Sequence, residues 1–373
     1  MQLKKIYQFY ISGIESFYER QHYFKMLLAE KYALKRKSKL IKSVSWSKEQ
    51  EKEFNTFWRQ EYKPITSKGH KLIEAFNGTF NVEYMPDFLF ATKVEYKMNP
   101  YLYAKIYSDK SLTEVLYKDK SNAIIPKTFL LNAGGVFYDE NRRIITKEEA
   151  RSILLNINAA AVKPTVGGNS GKGIVIGTFD EDGYSDEHKF SLLSLLEGAE
   201  NFIVQELIQQ SAALNGLYRH SINTFRVITY IVKGKVHVAP VSLRIGVGGS
   251  KVDNIHSGGL GIGVDVKNSS LLKTAYQLGY SDQCKVYEMH PDSQISFSDY
   301  SIPGIQEIVE SAQKLHEATP QMGIISWDLT LNSNNKPVLI EANYIGQAVW
   351  LSQIVNQTPI FGKHTAYILN QIK

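Results

Sequence analysis

The chain has 373 residues, of which 43% are hydrophobic, so it can form a sizeable core and more than one domain. Its net charge of +6 is uneven, because residues 1–70 carry 15 basic and 7 acidic side chains. The remainder is nearly neutral, which disfavours a nucleic-acid binder, since that class needs a basic face on the folded body. The single cysteine, Cys284, excludes a disulfide framework and a cysteine-based zinc or iron–sulfur site.

The apolar runs of the chain are all short. The first residues contain neither a long apolar stretch nor a small-residue cleavage site, so they do not resemble a secretory signal. A transmembrane helix would need about 18 consecutive apolar residues, and the sequence has no such run. We therefore expect a soluble cytoplasmic protein.

Residues 1–65 are predicted to be helical. Apolar side chains between Tyr7 and Tyr18 recur at spacings of three and four, as on one face of a helix. A basic run follows, and it is either a solvated helix face or a patch for anionic membrane lipid or a polyanionic glycan. A lipid patch would place the protein at the inner face of the membrane. The basic residues are Lys31, Lys35, Arg36, Lys37, Lys39 and Lys42.

The rest of the chain alternates between helical and strand patterns. The predicted elements in chain order are a helix at 106–125, strands at 123–131 and 134–138, a helix at 147–157, strands at 159–166, 173–179 and 201–208, a hairpin at 226–246, a helix at 302–319 and a hairpin at 325–343. This order predicts an α+β fold with mostly antiparallel strands in at least two sheets.

A glycine-rich loop joins the predicted strands at 159–166 and 173–179. Its backbone N–H groups could close on phosphate oxygens, with Lys163 and Lys172 supplying positive charge. It is neither a Walker A loop nor a Rossmann loop, because a strand and not a helix follows Gly173. A plain flexible hairpin tip is the alternative interpretation. The glycines are Gly167, Gly168, Gly171 and Gly173.

The hairpin at 325–343 carries two carboxylates. If its turn is centred on Asn334 and Asn335, Asp328 lies directly opposite Glu341, with Cβ atoms about 5 Å apart. Asn343 shares their face, because alternate residues of a strand point the same way. Two carboxylates and an amide oxygen form an all-oxygen site suited to Mg²⁺. The alternative is a solvent-exposed polar face of the hairpin.

Glycine loop and carboxylate hairpin, in this order, resemble the ATP-grasp superfamily. Shorter motifs resemble its sugar-transfer-associated group, which is found in bacterial capsule and surface-polysaccharide loci. The resemblance implies two α+β subdomains that clasp ATP, at 99–207 and 208–373, behind a helical region at 1–98. The shorter motifs are Ser221–Arg226, Leu243–Gly246, Val252–Asn254 with Gly258-Gly259, His290-Pro291 and Ser326–Asp328.

The resemblance also implies roles for individual residues. Mg²⁺ would be held by Asp328, Glu341 and Asn343. Lysines and lid glycines would bind the ATP phosphates, and the end of the strand at 201–208 would bind adenine. The implied ATP-binding residues are Lys110, Lys163, Gly167, Gly168, Ser170, Gly171, Lys172, Gln205, Glu206, Leu207 and Ile208.

One position departs from related peptide ligases. D-alanine–D-alanine ligases carry an arginine two residues before the metal aspartate, and Ser326 stands there in this chain. We expect Arg226 and Arg244, with Lys172, to stabilise the acyl-phosphate instead. The alternative is that the arginines form structural ion pairs with Asp253 or another acid.

The resemblance implies an ATP-dependent carboxylate–amine ligase that joins an amino acid or amino sugar to a carboxylate during surface-polysaccharide assembly. The alternatives are a kinase that phosphorylates a sugar or related hydroxyl, and a non-catalytic nucleotide-binding partner of glycosyltransferases. Candidate substrate-binding residues are Asp253, Asn254 and His256, with Asp265 and His290 as minor candidates.

Overall fold

The chain divides into two compact units. One consists of residues up to Met98 together with Gly346–Lys373, and the other of Asn99–Ile345. Within the described ranges, none of the helices combines the length and hydrophobicity that crossing a bilayer requires. The computed structural model describes residues 2–62, 65–167, 173–180, 189–191, 194–278 and 284–373.

The first unit is helical, as the sequence predicts for residues 1–65. Of the apolar side chains predicted on one helix face between Tyr7 and Tyr18, all except Phe17 lie outside the described part. The helices of both units are α1 (Gln2–Arg36), α2 (Ser38–Ser43), α3 (Lys48–Glu61), α4 (Lys68–Asn77), α5 (Asp87–Leu89), α6 (Glu95–Met98), α7 (Tyr101–Tyr107), α8 (Thr113–Tyr117), α9 (Lys147–Leu155), α10 (Ala212–Leu217), α11 (Ile305–Glu317), α12 (Val349–Asn356) and α13 (Thr365–Gln371).

Local sequence explains the clearest helix of the first unit. Ser47 caps α3: its Oγ accepts from the Gln50 N–H at 3.2 Å, and its own N–H donates to the Gln50 side chain at 2.9 Å. One turn further, Phe54 and Trp58 are buried on the same side of the helix. The His70 ring packs edge-on between them, and burial lowers the pKa of His70 to about 3, so the ring is neutral.

The second unit contains two sheets with almost entirely antiparallel pairing, as predicted. Their strands are β1 (Thr128–Ala133), β2 (Val136–Tyr138), β3 (Ile144–Ile145), β4 (Ala160–Pro164), β5 (Val175–Asp180), β6 (Lys189–Ser191), β7 (Phe202–Gln205), β8 (Thr224–Val232), β9 (Lys235–Val238), β10 (Ser242–Ile245), β11 (Leu260–Asp265), β12 (Ser270–Gln277), β13 (Lys285–Tyr287), β14 (Ile324–Leu331) and β15 (Pro337–Asn343). The first sheet has the strand order β3-β2-β1-β7-β4-β5-β6 and the second β13-β12-β11-β10-β8-β14-β15, with β9 also paired to β8.

The single helix predicted at 106–125 is wrong. The structure has α7, a 3₁₀ turn at Lys110–Leu112 and α8 in its place. The Asp109 side chain accepts from the Ser111 N–H at 2.9 Å and starts the new turn. The Lys110 N–H donates to the Thr165 carbonyl at 2.8 Å, so a tertiary contact replaces a helical hydrogen bond at this point.

The second sheet has one apolar and one polar face at its centre. Val227 and Trp327 lie opposite each other on β8 and β14, are buried, and share the side on which α11 packs. Since side chains alternate along a strand, Arg226 and Asp328 point to the other side. Burial of the apolar face therefore presents these two charged residues on the opposite face.

Candidate functional site

The hairpin of β14 and β15 brings the predicted carboxylates together. Asp328 pairs with Glu341, as the sequence predicts, and Ser326 pairs with Asn343. The predicted turn centre is wrong, however, because Leu331 pairs with Pro337 next to the turn. A β-bulge after Asp328 shifts the register by one residue and restores the predicted pairing at the carboxylates.

Asp328 lies between two guanidinium groups. Its Oδ1 is 2.7 Å from Arg226 Nε, and its Oδ2 is 3.1 Å from Arg244 Nη2. Burial would raise the pKa of Asp328, but the two arginines outweigh this effect and lower it. The carboxylate is therefore ionised, and the two arginines balance its charge.

Asp253 holds the second of these arginines. Its Oδ2 accepts from the Thr224 N–H at 3.1 Å and from the Thr224 hydroxyl, and lies 3.4 Å from Arg244 Nε. Arg244 Nε also donates to Thr224 Oγ1 at 3.0 Å. Both arginines thus contact acids, as the ion-pair interpretation expects, and Asp253 fixes the direction in which Arg244 points.

Two lysines approach Glu341 from the other side of the site. Lys110 Nζ is 3.0 Å from Glu341 Oε1. Lys163, on β4, is 8% exposed and donates to Gln205 Oε1 at 3.0 Å. Burial lowers the pKa of Lys163 to about 8, with Lys110 adding to the effect and Glu341 opposing it. Five predicted residues on four separate chain segments therefore converge: Lys110, Lys163, Asp328, Glu341 and Asn343.

The predicted adenine-binding segment lies beyond the end of β7. The strand ends at Gln205 rather than at Ile208, and the Glu206 N–H donates to the Lys127 carbonyl at 2.9 Å. Leu207 and Ile208 are half-buried. Among the described residues, their backbone N–H and C=O groups make no hydrogen bond.

The glycine-rich loop is described only at its two ends. Gly168, Ser170, Gly171 and Lys172 lie outside the described residues. Gly167 has φ +88° and Gly173 has φ +77°, which favour glycine.

Four other candidates have local contacts. Asn254 Oδ1 accepts from the His256 N–H at 2.9 Å within a 3₁₀ turn, and His256 is exposed there. Asp265 accepts from the backbone of Asn268 in the β11–β12 turn. His290 is buried, with Nε2 2.9 Å from the Gly246 carbonyl. Asp265 and His290 thus organise turns and loops.

The donor set fits Mg²⁺. The described residues contain no group of three His, Cys, Asp or Glu side chains that could hold a metal, so a site here depends on the Asn343 amide. Asn343 Nδ2 lies 3.4 Å from Asp328 Oδ2, which places the amide beside the carboxylate. Asp328 Oδ1 is buried without a hydrogen bond of good geometry in the described structure, although Arg226 is close. Carboxylate and amide oxygens are the ligands that Mg²⁺ prefers.

A model of the sugar-transfer associated ATP-grasp family matches residues 89–368, which is more than half of the chain. The chain belongs to this family. The resemblance drawn from the motifs is thereby confirmed, and the two sheets with their helical N-terminal segment are an α+β ATP-grasp fold. None of the curated proteins matches the sequence.

Solved structures similar to this ATP-grasp chain are distant. The ADP complex of purK, an N5-carboxyaminoimidazole ribonucleotide synthetase, has 14% identity and a TM-score of 0.40, with 74% of this chain and 54% of that chain covered. An L-amino acid ligase from Bacillus licheniformis has 12% identity and a TM-score of 0.35, with 68% and 43% covered. The VanG D-Ala:D-Ser ligase from Enterococcus faecalis has 14% identity and a TM-score of 0.38, with 71% of this chain and 60% of that chain covered. The chain spans about half the length of the first two.

Two residues of the ATP-grasp site, Thr224 and Asn99, are not assigned from the sequence. Thr224 joins Arg244 to Asp253, and Gln205, which the sequence assigns to ATP, also orients Lys163. Buried Asn99 donates to the carbonyls of Ile324 and Tyr344, both at 2.7 Å, and so joins the two ends of the β14–β15 hairpin. An asparagine before a proline is an ordinary turn signal, so only the tertiary contact identifies Asn99.

Proposed function

We propose that this ATP-grasp protein is an ATP-dependent carboxylate–amine ligase that works through an acyl-phosphate. The observation that carries the proposal is the excess of cations on the polar sheet face. Arg226, Arg244, Lys110 and Lys163 face Asp328, Glu341 and Asp253 within one site. Such a site suits a polyanionic substrate with a second anion beside it.

The nucleotide would lie between the two sheets. Lys110, Lys163 and the glycine-rich loop would bind its phosphates. The segment 206–208 would bind adenine, since the backbone groups of Leu207 and Ile208 make no hydrogen bond within the described part of the chain. Asp328, Glu341 and Asn343 would hold Mg²⁺, which when bound supplies positive charge to the transferring phosphoryl group.

The reaction would proceed in two steps. A carboxylate oxygen of the first substrate attacks the γ-phosphorus of ATP, the bond to the bridging oxygen breaks, and ADP leaves. An amine nitrogen then attacks the carbonyl carbon of the acyl-phosphate, inorganic phosphate leaves, and the nitrogen loses a proton to give an amide. Arg226 and Arg244 would bind the substrate carboxylate and then the acyl-phosphate, and no side-chain nucleophile is required.

The family's association with sugar transfer supports a substrate from surface-polysaccharide assembly. We propose that the first substrate is a uronic acid or another sugar carboxylate, and that the amine belongs to an amino acid or an amino sugar. Bidentate arginine contacts suit a carboxylate better than a hydroxyl, which favours ligation over phosphorylation of a sugar.

Isotope transfer tests this proposal. The purified protein is incubated with ATP, Mg²⁺, an amine panel and uronic acids labelled with ¹⁸O in the carboxylate. We expect amine-dependent phosphate release, an amide product and one ¹⁸O atom in the phosphate. The Glu341→Gln variant should lose all three signals. A stable phosphorylated sugar with unlabelled phosphate would instead identify a kinase and contradict the ligase proposal.

A further inference from the structure

One face of α1 exposes large apolar side chains. We call this face the α1 stripe and define it as Phe17, Phe24, Leu28 and Tyr32, which are 57%, 59%, 51% and 68% exposed. Their spacings of seven, four and four place them along one side of the helix. An apolar surface of this kind on a folded protein marks an interaction site.

Basic side chains flank the α1 stripe. The exposed charged residues among the described side chains of α1 are Arg20, Lys25, Lys31 and Lys35, and all four are basic. Glu30 is partly buried and, by helical spacing, lies on the side opposite the stripe. The exposed face therefore combines an apolar centre with the positive charge of four basic side chains.

The opposite side of α1 is attached to its own unit. The Tyr23 ring packs against Phe88 with ring centroids 5.5 Å apart, and His22 Nε2 donates to the Ala91 carbonyl at 3.2 Å. These contacts fix the rotation of the helix about its axis. The α1 stripe is consequently presented outwards along about four turns of helix.

We propose that the α1 stripe binds the surface of a membrane rich in anionic lipid, with α1 parallel to the membrane plane. Aromatic and aliphatic side chains flanked by Lys and Arg are typical of helices that lie in the membrane interface. Each basic residue near an anionic surface adds to the attraction. This inference does not depend on the reaction proposed above.

The charged and apolar side chains together favour a lipid surface over two other possible occupants, a second copy of the chain and a soluble polyanion. In a dimer formed through the stripe, the basic flanks of two copies would meet without acidic partners among the described exposed side chains of α1. A soluble polyanion would neutralise the lysines but leave the apolar centre in water. An anionic lipid surface can contact both the apolar α1 stripe and the basic side chains that flank it.

Vesicle flotation of the full chain tests the proposal. We expect binding to vesicles of phosphatidylcholine with phosphatidylglycerol, no binding to phosphatidylcholine alone, and release at high salt. Phe24→Ser with Leu28→Ser, and Lys31→Glu with Lys35→Glu, should each weaken partitioning by about tenfold or more. Lys120→Glu with Lys363→Glu makes the same charge change at exposed sites elsewhere and should bind like the wild type.

Circular dichroism of each variant establishes that the exposed substitutions leave the fold intact. Absence of flotation with anionic vesicles at low salt would overturn the proposal. So would unchanged flotation of the Phe24/Leu28 variant, or a wild-type dimer that this variant converts to monomer. Binding to dextran sulfate with no binding to vesicles would identify a polyanion site instead.

Discussion

Asp328 is the residue on which the charges of the site converge. It is buried, contacts both Arg226 and Arg244, and faces Glu341 across the hairpin. Two guanidinium groups thus stay in the protein interior because acids accompany them: Asp328 contacts both, and Asp253 also contacts Arg244. Removing one partner of a buried ion pair leaves the other charge uncompensated, which costs more than the pair contributes as a whole.

Asp328→Asn should therefore lower stability as well as metal binding. We expect the free energy of unfolding to fall by about 3 kcal/mol, because two buried arginines lose their shared counter-ion. Urea denaturation measures this change. Asp119→Asn, at an exposed turn with φ +61°, is the matched control and should stay within about 0.5 kcal/mol of the wild type. Equal stability of the two variants would contradict the ion-pair assignment.

Lys163 offers a second test at the level of one residue. Burial lowers its pKa to about 8, so the side chain is largely neutral at about pH 9 in the free protein. If it binds nucleotide phosphate, the anion favours the charged form, and binding must take up a proton at that pH.

Calorimetric titration with ADP and Mg²⁺ in two buffers of different ionisation enthalpy measures that proton. We expect uptake at about pH 9 and almost none at about pH 7, where Lys163 is already charged. Lys163→Met should abolish the uptake, whereas Lys120→Met, at an exposed position, should retain it. Nucleotide binding without proton uptake at the higher pH would place Lys163 away from the phosphates.

At the scale of elements, the β14–β15 hairpin depends on a contact outside itself. Asn99 bonds the backbone of Ile324, where β14 begins, and of Tyr344, just after β15 ends. The Tyr344 hydroxyl in turn bonds that of Tyr117, within a buried pair. These contacts define the position of Asn343, the neighbour of Tyr344.

Asn99→Ala should loosen both ends of the hairpin. We expect a loss of about 2 kcal/mol in unfolding free energy, because backbone groups lose their partners. We also expect the apparent Mg²⁺ affinity in nucleotide binding to fall by about tenfold, since the proposed ligand Asn343 is no longer held. Asn156→Ala, which removes an exposed asparagine on the surface of the second unit, is the control. A loss of stability with unchanged Mg²⁺ dependence would show that Asn99 supports the fold alone.

The hairpin also shows which features a sequence can predict. Asp328 and Glu341 were placed opposite each other because alternation and a short turn are properties of neighbouring residues. The bulge was missed, since registers that differ by one residue have the same local pattern. The contact between Lys163 and Gln205 joins residues 42 apart in sequence, and only the packing of β4 against β7 creates it.

The same reasoning explains the errors in the helices and in the strand at 201–208. A helical pattern at 106–125 was overridden by the tertiary hydrogen bond from Lys110 to Thr165, which no local propensity contains. The strand pattern continues to Ile208, but among the described strands the pairing of β7 with β1 and β4 ends at Gln205. The family is predicted correctly from its motifs although the ends of helices and strands are not, because the motif residues can be matched to the family one by one.

At the scale of the whole molecule, the two units carry different electrostatic roles. The positive charge of residues 1–70 is concentrated on the helical unit, including the exposed basic residues beside the α1 stripe. In the second unit, Lys110, Lys163, Arg226 and Arg244 gather at the site, where acids accompany them. The basic excess of residues 1–70 therefore accounts for the whole net charge of +6, because the rest of the chain is nearly neutral.

The stability of the whole chain should depend on pH through a buried acid of the helical unit. Glu95 accepts from the N–H groups of Gly346 and Gln347 at 3.0 and 2.9 Å, yet burial dominates and raises its pKa to about 7. Its unfolded form ionises at its ordinary, lower pKa, so between about pH 5 and 7 the folded state binds more protons than the unfolded state. Stability should therefore fall as the pH rises through this window.

Chemical denaturation at several pH values measures this slope. Glu95 alone should contribute a decrease of up to about 3 kcal/mol between pH 5 and 8, and Glu95→Gln should remove that contribution whatever its effect on stability at any one pH. Asp328 contributes nothing to this slope, because it is ionised above about pH 5 in both states. Its pKa is lowered in the folded protein and has its ordinary low value in the unfolded chain. A wild type and a Glu95→Gln variant with parallel pH profiles would mean that Glu95 stays ionised in the folded protein, held by the two amides against the cost of burial.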